Sequence, residues 1–137
     1  PQPSSTIERP PAGVPLSPPP PQPDLPDGSD VVARLCEVRL APSAIVDEGT
    51  IIDATAARLT GGEARQVDVV VARLNAPVLH LRGVLAADLE FRLRAEAFRR
   101  TYDAHLAPVR DSDAMRAEMG SASGRAYLLC AAALKSA

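Results

Sequence analysis

The chain has 137 residues and a formal charge of −2, and eleven of its fourteen prolines fall within the first twenty-six positions. Setting that start aside leaves about 110 residues, enough for one hydrophobic core and too few for two. With charge nearly balanced and no tryptophan, the sequence lacks both the whole-molecule field and the aromatic platforms that would draw nucleic acid or an anionic membrane surface.

Residues 1–28 read as a proline-rich arm. Too many of its positions lack a backbone N–H for helix or sheet to be sustained. Stretches such as Pro18, Pro19, Pro20 and Pro21 favour polyproline II, which extends about 3 Å per residue. Three uses fit such a segment: a tether, an arm laid along another subunit, or a ligand for a proline-recognising domain. No Arg or Lys lies between Pro15 and Pro26, which weakens the last. The chain begins at Pro1 without methionine, and together with the proline-rich start this suggests a processed organellar or cell-envelope chain.

Residues 29–137 are expected to form one globular domain. Asp27, Gly28, Ser29 and Asp30 make a turn with capping potential, after which Cys36, Val38 and Leu40 alternate as on a strand. The same stretch also carries a helical stripe, Val32, Leu35, Cys36 and Leu40, and the strand reading is preferred. Thr50 and Asp53 resemble a capping box, and Ile52, Ala56 and Leu59 recur at helical spacing, predicting a helix over 51–60 that stops at Gly61 and Gly62. Val67, Val69 and Val71 suit a pleated strand, Asn75, Ala76 and Pro77 break it, and residues 78–81 return, so a hairpin is expected.

The most legible element is a helix over about 84–106. Val84, Ala87, Phe91, Ala95, Phe98, Tyr102 and Leu106 fall on one face at three- and four-residue intervals, and Pro108 ends it. A second stripe, Leu85, Leu89, Leu93 and Ala97, makes the first half apolar on two sides. Asp111, Ser112 and Asp113 cap a short helix through Met119 that Gly120 stops, and Ser123 caps a last helix, apolar all round over 127–134. The longest apolar run, residues 126–134, is far short of the roughly 20 needed to cross a bilayer, so no membrane span is expected.

No constellation converges on a reaction. Cys36 and Cys130 would close a loop of over ninety residues as a disulfide, stabilising by about 4–5 kcal/mol in the loop-entropy picture; the competing reading is two free cysteines acting as small hydrophobes. His80 and His105 do not stand at zinc-ligand spacing from either cysteine. The pairs Asp47/Glu48 and Asp111/Asp113 border helix starts, where carboxylates cap. Arg92, Arg94, Arg99 and Arg100 resemble a basic patch until helical spacing sets Arg92 against Glu96, Glu96 against Arg100 and Arg99 against Asp103. No catalytic, cofactor-binding or metal-binding residue is assigned.

The sequence therefore predicts an α+β fold, a small antiparallel sheet followed by a helix-rich half, with an all-α bundle as the alternative. The expected function is that of a non-catalytic accessory or assembly subunit docking on a larger protein complex. Its interface would comprise Leu85, Leu89 and Leu93, with Pro18 to Pro21 of the arm as a second contact. The competing function is a secreted or envelope domain on a proline-rich tether, bridged between Cys36 and Cys130 and binding a small ligand or protein.

Overall fold

The computed structural model describes residues 28–135, and among them every regular element is helical. The helices are α1 (Ser29–Glu37), α2 (Pro42–Ile45), α3 (Glu48–Arg73), α4 (Asn75–Ala87), α5 (Leu89–Leu106), α6 (Ser112–Gly120) and α7 (Ala122–Lys135). The expected α+β architecture is thus overturned, and the all-α alternative describes the molecule. The arm, with Pro18 to Pro21, lies outside the described residues.

The missing sheet has a specific cause in each segment. Val31 and Leu35 are buried one helical turn apart on α1, so the helical stripe prevails over the short alternation that followed it. That alternation is the helix's exit. Arg39 adopts φ 66°, and the Leu40 amide donates to the Leu35 carbonyl at 2.8 Å while the Arg39 amide donates to Cys36 at 3.1 Å. This is the double hydrogen bond of a Schellman close.

In the valine run, burial falls on Val67 and Val70, a spacing of three rather than two. Valine's β preference yields here to packing on one helical face. Pro77, expected to break the chain, instead stands in the first turn of α4, where the amide it lacks would have had no partner within the helix. Val78, Leu81 and Leu85 then form the buried face of α4. The helices α3 and α4 meet at a bend of 107°.

Aspartates set three of the helix starts by accepting from the amide three residues on. Asp47 accepts from Thr50 at 2.9 Å, Asp88 from Phe91 at 3.1 Å and Asp111 from Ala114 at 2.8 Å. Asp88 splits the helix expected over 84–106, so Leu85 belongs to α4 and Leu89 to α5. For α7 the capping hydroxyl is that of Ser121, which accepts from the Gly124 amide at 2.9 Å, rather than that of Ser123.

The core is organised around α7. Gly124 and residues 126–133 are buried on every side, and α7 packs against each of the other six helices. Sequence and position agree, because a helix apolar all round has nothing to offer water. Arg125 ties its start to the α2–α3 junction by donating to the Val46 carbonyl at 2.6 Å. No single helix among the described residues is long and apolar enough to cross a membrane.

Candidate functional site

Two regions stand out, a polar cluster inside the bundle and an apolar face outside it. The cluster is built around a break in α3. Gly62 has φ 75° and ψ −164°, a conformation that glycine adopts and side-chain-bearing residues avoid. The two segments of α3 are thereby turned against each other, and polar side chains join them. Arg58, from the first segment, has a side chain only 9% exposed and donates to Asp103 Oδ1 at 2.8 Å, Gln66 Oε1 at 2.9 Å and the Tyr127 hydroxyl at 3.0 Å. Glu63, from the second, accepts from Arg99 Nη1 through both carboxylate oxygens, Oε2 at 2.8 Å and Oε1 at 3.1 Å.

Tyr127 lies within 3.1 Å of Asp103 Oδ1 and stacks on Tyr102 at a ring separation of 5.0 Å. One network therefore clamps both halves of α3 to α5 and α7.

Burial pushes the Tyr127 phenol strongly upward, against the opposing field of Arg58, and burial likewise raises Tyr102. Neither is a base at neutral pH. Cys130 is fully buried and its thiol is pushed up to about 12, which removes the thiolate that nucleophilic chemistry needs.

The sequence-derived candidates fare unequally. Cys36 is exposed on α1 and Cys130 is sealed within α7; both thiols are free. The proposed bridge is therefore not formed, since one sulfur faces solvent and the other the core. His80 meets the Val38 carbonyl at 3.0 Å. His105 Nε2 lies 3.1 Å from Glu118 Oε1, within ion-pair range though out of line for a hydrogen bond. No group of three or more His, Cys, Asp or Glu among the described residues is placed to hold a metal ion.

Three of the four arginines on α5, Arg92, Arg94 and Arg99, meet a carboxylate, only partly as spacing predicts, and the expected pair of Glu96 with Arg100 is not formed. Arg92 meets Glu96 at 3.2 Å as expected. Arg99 turns instead to Glu63, and Asp103 to Arg58. Sequence reasoning missed Arg58, Glu63 and Gln66 altogether. The nearest signal was Gly61-Gly62, read as a helix stop when it is a bend that helix continues beyond.

The three leucines of the expected interface separate. Leu85 is 2% exposed and belongs to the core, whereas Leu89 is 67% and Leu93 56% exposed. These two project from one side of α5 a turn apart. Beside them a cleft of about 130 Å³ runs between α1 and α5, lined by Asp30, Arg34, Asp88, Glu90, Phe91 and Arg94. Four of its charges are engaged: Arg34 meets Asp88 at 2.9 Å and lies 5.7 Å from the Phe91 ring centre, and Arg94 meets Glu90 at 3.2 Å. Leu89 and Leu93 thus stand beside a rim of three acidic and two basic side chains. Comparison with family models, with curated proteins and with solved structures finds no match.

Proposed function

We propose that this chain is a non-catalytic accessory or assembly component that docks on a protein partner through the outer face of α5, with Pro18 to Pro21 of the arm as a second contact. The observation that carries the reading is the exposure of Leu89 and Leu93, 67% and 56%, side by side on a helix whose opposite face is already buried. A leucine left in water forgoes about 1.5–3 kcal/mol of burial. Two on adjacent turns make a nucleus for docking.

The interface differs from that expected by the loss of Leu85, which the core of α4 has claimed. The double variant Leu89→Asp/Leu93→Asp is expected to keep the thermal midpoint and helical content of the parent and to release a stoichiometric partner purified from the native source. A chain starting at Gly28 is expected to hold that partner more weakly. Unfolding of the double variant, or unchanged partner retention, would refute the assignment.

A further inference from the structure

The exposed stripe on α5 comprises Leu89, Leu93 and Ala97, with Ala97 also exposed, and it ends at exposed Arg100, which lies within about 20° of the Leu93 direction. Charged residues flank it in a particular order. At 100° per residue, Glu90 and Arg94 lie on one side of the stripe, and Arg92 and Glu96 on the other. Each flank holds one acid and one base four residues apart, paired within the helix at 3.2 Å in both cases. One flank runs acid to base, the other base to acid.

That order is self-complementary when two copies meet antiparallel. Antiparallel helices bring like flanks together with their direction reversed, so the acid of one copy faces the base of the other. The first flank is centred on position 92 and the second on 94; an axis through Leu93, midway between them, leaves each acid about 3 Å along the helix from its facing base. The apolar stripe obeys the same axis. Leu93 meets its own copy, and Leu89 meets Ala97, large against small, as close packing requires. Parallel pairing would set Leu89 on Leu89 and Ala97 on Ala97, leaving the second level underfilled.

We propose that a second copy of this chain covers the face, with the two α5 helices packed antiparallel about a two-fold axis at Leu93. The inference rests on the reading of this face as a docking surface and names its occupant. The contact is isologous, so each favourable pair occurs twice. Three apolar residues from each copy are far fewer than the roughly 20–30 residues a side of a standard stable interface. Association is therefore weak and concentration-dependent.

The test uses the full chain carrying Cys36→Ser, which removes the exposed native thiol. In that background Leu93→Cys is expected to cross-link to its own copy on mild oxidation. Leu89→Cys and Ala97→Cys are expected to cross-link when mixed and not singly. By sedimentation equilibrium the parent should show a reversible monomer–dimer equilibrium, and Leu93→Asp, entering twice at the axis, should weaken it on the order of tenfold or more. A chain that stays monomeric, or one in which Leu89→Cys couples to itself in place of the mixed pair, overturns the proposal. If the chain is monomeric and the double aspartate variant still releases another protein, self-pairing falls while the docking reading stands; if neither association responds to that variant, both fall.

Discussion

Arg39 occupies the left-handed position that closes α1, with φ 66°. Glycine is the usual occupant, because a Cβ there crowds the following carbonyl at a cost of roughly 1–2 kcal/mol. The side chain is exposed, so little packing is lost on its removal. Arg39→Gly is therefore expected to raise stability by about 0.5–1 kcal/mol after the added freedom of the unfolded chain is subtracted, seen as a higher urea midpoint with an unchanged slope. Asp88 is a second position where a single side chain decides local structure. The Phe91 amide, and then Arg34, hold its carboxyl below the usual range. A carboxyl depressed in the folded state stabilises above its unfolded value near 3.9, and the contribution disappears as pH falls through the folded value. Asparagine caps as well as aspartate but carries no charge. Asp88→Asn should be less stable than the parent at pH 7 and converge with it toward pH 3, which urea titrations at the two pH values would show; parallel pH profiles would remove the charge from the account.

At the level of elements, the fold depends on close approaches that only some residues permit. A Cβ on Gly124 would sit 2.7 Å from Met119 Cα and collide with the Glu118 carbonyl, both of them backbone. Neither can rotate away. Gly124→Ala is thus expected to destabilise by about 1–3 kcal/mol as α6 and α7 are forced apart, while an alanine at exposed Gly83, with no atom within 4 Å of its added Cβ, should be neutral or stabilising in the same melts. What the sequence made legible follows a similar division. The buried face of α5, the Asp111 cap and the all-round burial of α7 were readable because period, cap and hydrophobicity coincide there. The helices α1, α4 and the second half of α3 were not, because short valine-rich stretches satisfy both periods and only tertiary packing on α7 selects between them. The exposed pair Leu89 and Leu93 was legible as a second stripe. Its separation from Leu85 was not, because it depends on Asp88 turning its carboxylate to the Phe91 amide instead of continuing the helix.

For the molecule as a whole, the decisive fact is that one helix touches all the others. A bundle arranged around a central element has no outer layer that can leave without exposing that element, so opening the centre should amount to global unfolding. Cys130 reports on this directly. It is fully buried in α7 with its thiol raised to about 12, whereas Cys36 is exposed on α1. Under native conditions a thiol reagent at pH 8 should titrate one cysteine quickly, and that fast phase should vanish in Cys36→Ser. The second should react only through unfolding, with a free energy of opening equal to that from urea melts, and unfolded, unreduced protein should show two thiols. A slow-phase free energy well below the global value would mean that α7 can be uncovered by partial opening, and the bundle would then have to be divided into at least two cooperative units.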